Sequence, residues 1–361
     1  MRRKLYVGIA AALAATMYLT GQASADHYVG KMVTVINGFS RGGGSDITTR
    51  TFVRHWRRHL TGVAGMTVRN IPGRGGVKAT NFVYSEAKSD GLTVLMSPWA
   101  PVAWVLGAKG IQFDYARMEF IGGGATARIS YIRAGAGVAT PERIGSAKNL
   151  RLAGSHSTGN FDILNGAALQ LMGVDYIYIP GYQASPQRLA ALQSGQADID
   201  LATTTFYRAQ VKPSMIDRQR AMPLWYFPSV RSDGTVDHIP ELDKQGISSL
   251  VDIYRLAHDG KYPSGPAWDV VKWLQLVLGN LAIAVFAPPG TPADAIAELR
   301  TSFDATRNDP AYIKEAAEQG ALSFSTVEEG EKIVKSLPHT DPNVILSLRK
   351  IIAAADDRKR Q

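Results

Sequence analysis

The hydrophobic pattern alternates between two periods along most of the chain. Short apolar runs rich in β-branched residues, such as 32–39, predict buried strands, and apolar positions three or four residues apart then predict a helix from Asp46 to about Leu60. This alternation is typical of βα units around a mostly parallel sheet. We predict further strands at 66–70, 92–96, 149–154, 176–179, 199–202, 223–227 and 281–287.

Three helix starts carry capping signals in the last part of the chain. The segment 291–294 has the form of a capping box with proline at the first helical position. A second box pairs Thr326 with Glu329, and Asp341 precedes a proline that opens the last helix. Between 229 and 279 the pattern weakens, so we assign no elements there.

The strand, polar turn and helix unit of the first half restarts near Asn149. About 336 residues after the N-terminal segment exceed what one hydrophobic core usually holds. We therefore predict an α/β protein of two lobes, each a mostly parallel sheet flanked by helices, with a ligand cleft between them.

The first 25 residues have the features of an export signal. Arg2, Arg3 and Lys4 precede an apolar run at 5–19, and the small residues at 23–25 end the segment. The apolar run is shorter than the roughly 20 residues that span a bilayer, although an uncleaved membrane anchor is the alternative. We expect cleavage after residue 25 and a mature protein outside the cytoplasm.

Composition narrows the chemistry further. The chain has no cysteine, which excludes a lipid-anchored lipoprotein, disulfides and thiolate sites. The net charge is +9, and without the three basic residues of the signal 37 basic and 31 acidic residues leave +6. The densest basic run, 54–59, falls on a predicted helix, where we expect a solvated helix face, a nucleic-acid or membrane patch being the alternative.

The turn at 40–46 (SRGGGSD) lies between a predicted strand and a predicted helix. Three consecutive glycines let the backbone approach a ligand, and the first amides of a helix attract anions such as carboxylate or phosphate. The alternative is a tight turn in which Asp46 only caps the helix. The spacing matches neither a P-loop nor a dinucleotide fingerprint.

A second polar turn at 154–160 (GSHSTGN) opens the helix that bears Phe161. Its hydroxyls, imidazole and amide could complete a cage around a carboxylate, and ordinary helix capping is the alternative. Neighbouring Ser155, His156 and Ser157 do not form a nucleophile elbow, so we do not expect catalysis. The seven histidines have no metal-ligand spacing.

Six segments in order resemble one family, the substrate-binding proteins of tripartite tricarboxylate transporters, also called the Bug family. Together they cover nearly the whole mature chain. They are FSRGGGSD at 39–46 with Arg50, VRNIPGRGG at 68–76, SDGLTVLM at 89–96, GSHSTGNFDIL at 154–164, SGQADID at 194–200 and APPGTPAD at 287–294.

The resemblance implies a type II periplasmic-binding fold, also known as a Venus flytrap. Residues 26–126 and 281–361 would form lobe 1, and 127–280 would form lobe 2. It also implies ligand contacts from both glycine-rich loops and from sites after later strands. These residues are Phe39, Ser40, Arg41, Gly42, Gly43, Gly44, Ser45, Asp46, Ser155, His156, Ser157, Thr158, Gly159, Asn160, Thr203, Thr204 and Trp99.

Some of these assignments have alternatives. Thr203 and Thr204 could instead cap the following segment, and Trp99 could belong to the core. Arg41 stands where the family usually has proline, so its guanidinium could bind a second carboxylate or point to solvent. The ligand class stays open among dicarboxylates, hydroxy acids, amino acids and aromatic acids.

The implied function is capture of a small carboxylate in the periplasm for a tripartite transporter, by closure of the two lobes. The expected partners are that ligand and the membrane subunits; we expect a monomer, no nucleic acid and no cofactor or metal. A sensory protein that presents the ligand to a receptor kinase is the first alternative. An enzyme on a related fold is less favoured, because the known example attaches its cofactor through cysteine.

Overall fold

The computed structural model describes residues 27–231, 233–320 and 324–359. The predicted export signal at 1–25 and its cleavage site lie outside these residues. Within the three described ranges, no helix has both the length and the apolar character needed to cross a membrane.

Strands are distributed over the whole described chain. They are β1 (Met32–Asn37), β2 (Gly65–Asn70), β3 (Thr93–Ser97), β4 (Glu119–Gly124), β5 (Arg128–Arg133), β6 (Leu150–Ala153), β7 (Tyr176–Ile179), β8 (Ile199–Thr203), β9 (Ala221–Tyr226), β10 (Ser229–Val230), β11 (Val236–Asp237), β12 (Ile283–Ala287) and β13 (Phe324–Ser325).

Helices connect most of these strands. They are α1 (Gly44–His59), α2 (Val77–Ser85), α3 (Pro101–Val105), α4 (Asn160–Leu171), α5 (Ser185–Gln193), α6 (Thr204–Phe206), α7 (Pro240–Asp243), α8 (Leu250–Ala257), α9 (Pro266–Leu274), α10 (Ala293–Arg307), α11 (Pro310–Glu318), α12 (Val327–Ser336) and α13 (Pro342–Asp357). Wider π-helical turns continue α6 and α9, at Tyr207–Ile216 and Gln275–Gly279.

Two mixed sheets form the centres of the two lobes. In the first, β1 pairs in parallel with β2 and β3, while β12 runs antiparallel between β3 and β4. The second repeats this arrangement, because β6 pairs in parallel with β7 and β8, and β5 runs antiparallel between β8 and β9. The orders are β13-β4-β12-β3-β1-β2 and β7-β6-β8-β5-β9. The chain crosses between the sheets at 125–127 and returns at 280–282.

The hydrophobic pattern predicted most strands of both sheets to within two residues, but it missed β4, β5 and the two-residue β13. In β4 the glycines at 122–124 interrupt the apolar pattern, and the Phe303 ring occupies the space where a side chain at Gly122 would lie. In β5 two polar residues, Arg128 and Ser130, are buried at 2% and 0% exposure. Polar residues at buried positions hide the strand from a hydrophobicity pattern.

The predicted caps are partly confirmed. Thr326 and Glu329 form the predicted capping box at α12, and the Asp341 carboxylate caps α13. The capping box at 291–294 is wrong. No side chain caps α10, and the Thr291 hydroxyl instead donates to the Pro288 carbonyl at 2.8 Å, where it closes the preceding turn.

The region without predicted elements, 229–279, folds as the β10–β11 hairpin followed by α7, α8 and α9. The last helix, α13, packs against α9 and α4, and the Tyr178 amide donates to the Arg358 carbonyl at 3.0 Å. The end of the chain therefore contacts elements of the second sheet. The lobe boundaries at 126/127 and 280/281 stay predictions.

The basic run 54–59 lies on α1, against the start of α11. His55 is 4% exposed, with its Nε2 2.8 Å from Glu315 Oε2, and His59 Nε2 lies 3.0 Å from Asp309 Oδ2. Two arginines of the run pair with the same carboxylates. The expectation of a solvated helix face holds for Arg54, Arg57 and Arg58, which are exposed, whereas His55 and Trp56 of the same run are buried.

Candidate functional site

A cavity of about 270 Å³ lies between the two sheets. Loops after β1, β2 and β3 line it from one side, and loops after β6, β7 and β8 line it from the other. The crossing segments at 125–127 and 280–282 form its base. Its lining residues are Gly38, Phe39, Ser40, Gly43, Gly44, Ser45, Thr48, Pro72, Gly73, Arg74, Gly75, Pro98, Thr126, Arg128, Ser155, Gly159, Asn160, Phe161, Asp162, Gln183, Ala184, Ser185, Arg188, Thr203, Leu278, Ala282 and Ile283.

The glycine turn that we call loop one (39–46) presents the N-terminus of α1 to the cavity. Gly43 occupies the capping position, and no side chain caps the helix. The amides of Gly44, Ser45 and Asp46 have no hydrogen-bond partner within the described residues. Unpaired amides at the positive end of a helix dipole are a site for an anion.

Polar side chains hold loop one in place from behind. Asn37 is fully buried, and its Nδ2 donates to the Ser45 hydroxyl and the Thr49 hydroxyl at 2.8 Å each. The Asn37 Oδ1 accepts from the Phe39 amide at 2.9 Å. From β2, Asn70 Nδ2 donates to the Phe39 carbonyl at 2.8 Å. These contacts leave the outward-facing amides of the loop free.

Asp46 belongs to this support rather than to the cavity lining. It is 2% exposed, and its carboxylate accepts from the Gly42 amide, the Arg50 Nε and the Asn70 Nδ2 at 2.9–3.0 Å. Burial opposes ionisation of Asp46, but the hydrogen bonds from Arg50, Gly42 and Asn70 outweigh it and lower the pKa of the carboxyl. Asp46 therefore stays charged and fixes Gly42, whose φ of +80° favours glycine.

The second turn, loop two (154–160), presents the N-terminus of α4 in the same way. Gly159 is the capping residue without a side-chain cap, and the amides of Asn160, Phe161 and Asp162 have no partner in the described part of the chain. The Asp162 carboxylate turns back to accept from the Ser155 amide at 2.8 Å and the Tyr178 hydroxyl at 2.7 Å. Two helix N-termini without side-chain caps thus meet at one cavity from opposite lobes.

Loop two also contacts the opposite lobe directly. Asn160 Nδ2 donates to the Trp99 carbonyl at 2.8 Å, across the cleft. His156 Nδ1 lies 3.0 Å from the Thr158 hydroxyl, and its Nε2 edge faces Gly75 of the turn after β2. His156 and Thr158 line a side pocket next to the main cavity, whereas Ser157 lies beside Asp356 of α13.

The predicted contacts divide into two groups in the structure. Phe39, Ser40, Gly43, Gly44, Ser45, Ser155, Gly159, Asn160 and Thr203 line the cavity. The other predicted contacts, Arg41, Gly42, Asp46, His156, Ser157, Thr158, Thr204 and Trp99, do not.

The structure shows where three side chains of the second group lie instead of in the cavity. Arg41 is exposed to solvent. The Thr204 hydroxyl is buried and donates to the Gly320 carbonyl. Trp99 is fully buried in the core, with its Nε1 2.6 Å from the Leu281 carbonyl and its ring against Tyr115.

Sequence reasoning did not select several lining residues. The turn at 72–75 carried a recognisable glycine signal, and the loop at 183–185 before α5 carried none. Arg188 forms an interior ion pair with Asp200 at 2.7 Å and also donates to Ser185. Arg128 stands at the start of β5, the strand that the hydrophobic pattern missed.

Among the described residues, no group of histidine and acidic side chains is placed to hold a metal ion.

No protein-family model and no curated protein sequence matches the chain. Several solved structures do. The periplasmic binding protein BugD gives a TM-score of 0.65 at 19% identity, over 91% of this chain and 99% of that one. MatC from Rhodopseudomonas palustris with bound malate gives 0.61 at 18%, over 91% and 98%. Rpa4515 from R. palustris with adipate gives 0.69 at 16%, over 88% and 97%.

These similarities extend over nearly the full length of each protein, and at such low identity they establish the fold. The predicted fold class is confirmed. The structural neighbours include Bug proteins, the family that the sequence motifs resemble. The chain therefore has the two-lobed α/β fold of the periplasmic binding proteins.

Proposed function

We propose that the chain is a periplasmic solute-binding protein of the Bug type, which captures a small carboxylate between its lobes for uptake by a tripartite tricarboxylate-type transporter. One observation carries the proposal: the uncapped N-termini of α1 and α4 face one cavity from opposite lobes. A carboxylate between them would accept hydrogen bonds from both lobes at once and so stabilise the closed form.

Two further observations support the ligand class and the location. The neighbouring structures MatC and Rpa4515 were solved with malate and adipate, which are both dicarboxylates. The sequence at 1–25 has the features of an export signal. Binding through backbone amides needs no proton transfer or bond cleavage, so a transport role accounts for this site without catalysis.

A thermal-shift screen of the exported protein tests the proposal. The panel contains malate, succinate, adipate, benzoate and aspartate, with their amides as controls that lack the carboxylates, and product analysis follows any hit. A ligand that binds only the folded state raises Tm, so we expect a rise with some carboxylates and none with the matching amides. A rise with amides alone, or chemical conversion of the bound compound, would overturn the proposal.

A further inference from the structure

Among the buried charged side chains that the structure describes, Arg128 is the one without an oppositely charged partner. Its side chain lines the cavity, yet the residue is only 2% exposed. Its terminal nitrogens donate to the carbonyls of Thr126 at 3.3 Å and Leu278 at 3.0 Å, and its Nε has no partner. Within the described residues, no carboxylate lies within ion-pair distance of this guanidinium.

Other arginines that reach into the second lobe have carboxylate partners. Arg188 pairs with Asp200 at 2.7 Å, and Asp198 accepts from both Arg133 and Arg151 at 2.6 and 2.9 Å. Each of these ion pairs includes an aspartate that is nearly fully buried. The fold therefore supplies counter-ions to other arginines around the same sheet, including Arg188 of the cavity lining, but supplies none to Arg128 among the described residues.

An unmatched buried charge is costly to retain. Transfer of a guanidinium out of water without a counter-ion is unfavourable, and carbonyl dipoles compensate only part of that cost. Burial lowers the pKa of Arg128 to about 10, so the group still carries its charge at neutral pH. A ligand anion that enters the cavity would supply the missing counter-ion.

The position of Arg128 relates it to both uncapped helices. It pairs with Thr203 across β5 and β8, so the two side chains share one face of the sheet, and Thr203 contacts Gly44 at the start of α1. The Phe161 ring, in the first turn of α4, lies 5.3 Å from the guanidinium carbon. The guanidinium thus lies at the base of the cavity, near both helix N-termini.

The other charged groups of the cavity do not satisfy Arg128. The oxygens of Asp162 accept from loop two and from Tyr178, and Arg188 is occupied by Asp200. Arg74 at the rim is exposed and adds positive charge. Arg128 therefore stays without an oppositely charged partner at a cavity that two uncapped helix N-termini also face.

We propose that Arg128 binds a second anionic group of the ligand, so that the site selects dicarboxylates over monocarboxylates of the same chain length. This inference rests on the proposed function, because it assumes that the helix N-termini hold the first carboxylate. A guanidinium donates through a planar fork that matches a carboxylate, and an ammonium at the same place would not reproduce that geometry.

Calorimetric titrations of the full exported protein test this role. Succinate, glutarate and adipate are compared with butyrate, valerate and hexanoate, on the wild type, Arg128→Met and Arg128→Lys. For the wild type we expect the best dicarboxylate to bind about 100-fold more tightly than its monocarboxylate, since desolvated charge pairs are strong. The Met variant should bring this ratio close to one, and the Lys variant should leave an intermediate ratio.

The ratio of dicarboxylate to monocarboxylate affinity distinguishes ligand recognition from a structural role. The distinction matters because Arg128 also donates to the carbonyls of Thr126, in one crossing segment, and Leu278, just before the other. If dicarboxylates and monocarboxylates lose affinity by the same factor in the Met variant, Arg128 only positions the segments that connect the two lobes. That result overturns the inference. A wild type that binds monocarboxylates equally well overturns it too, while the proposed function stands. Failure to bind any carboxylate removes the proposed function itself. If the Met variant does not fold, the Lys ratio decides: an unchanged ratio contradicts the inference.

Discussion

Gly44 of loop one lies directly against Thr203 of the second lobe. A Cβ atom at residue 44 would overlap the Thr203 hydroxyl and come within 3.2 Å of Phe206 Cβ. The first residue of α1 therefore packs on the other lobe with no space for a side chain. The φ angle of Gly44 lies in a range that any residue can adopt. Glycine is therefore required at this position because the two lobes approach each other so closely.

The first prediction follows from that contact. Gly44→Ala should lower the affinity for the best carboxylate by at least about tenfold, because the added methyl group holds the lobes apart at the ligand amides. Thr203→Ala removes the overlapping hydroxyl, so the double variant should recover part of the affinity. Calorimetry on the two single variants and the double variant measures the coupling. Strictly additive losses would show that residue 44 does not limit closure.

A second prediction concerns the hydrogen bond between Asn160 and the Trp99 carbonyl, which joins the lobes. Asn160→Ala should speed ligand dissociation by about three- to tenfold, since a neutral hydrogen bond contributes about 1 kcal/mol net. Stopped-flow fluorescence gives the dissociation rate. Asn81→Ala is the matched control, because Asn81 donates to the Gly110 carbonyl within one lobe. Equal rates in the wild type and the Asn160 variant would contradict a role in closure.

A third prediction uses the lowered pKa of Asp46. A carboxyl with a lowered pKa in the folded state stabilises the protein fully above its ordinary pKa of 3.8, and that stabilisation is lost as the pH falls through the lower folded value. Asp46→Asn should therefore cost about 1–2 kcal/mol at pH 7, and the difference should shrink as the pH falls below about 4.

Thermal or urea unfolding across this pH range checks the sign of the Asp46 effect. Asp175→Asn is the control, because the Asp175 side chain is 77% exposed and should show little difference at any pH. A deficit of the Asp46 variant that stays constant down to pH 2 would contradict the assignment of Asp46 as a charged support of loop one.

The fourth prediction separates core from ligand contact at Trp99. Trp99→Phe removes the hydrogen bond to Leu281 and leaves a gap in the core, which should destabilise the fold by about 1–3 kcal/mol. Because the ring does not line the cavity, carboxylate affinity should change by less than about threefold. A loss above about tenfold for aromatic acids alone would instead indicate the ligand contact that was expected for Trp99 from the sequence.

Loop one and loop two could be predicted from the sequence because their signals are local. In each, a glycine- or hydroxyl-rich turn follows an apolar strand and precedes a helix, and the structure places both turns at the cavity. Which residues of a turn face the ligand was not predictable to the same degree. Asp46 supports loop one from behind, because buried Asn37 and half-buried Asn70 orient the turn through contacts that are distant in sequence.

Arg128 could not be recognised as a site residue from the sequence. Its role depends on the pairing of β5 with β8, on a carbonyl 150 positions away and on the lack, among the described residues, of a carboxylate within ion-pair distance. A buried arginine also looks like a break in a strand pattern, so the hydrophobic periodicity assigned no element to this segment. Such non-local arrangements become visible only when the sheets are assembled.

The most direct test of the account is to follow backbone amides by NMR while the carboxylate with the largest thermal shift is added. If a carboxylate lies between the uncapped helices, the amide signals of Gly44, Ser45, Asn160 and Phe161 should move downfield together and saturate with one affinity. Shifts confined to one loop, or centred away from both, would contradict carboxylate capture between the two helix N-termini.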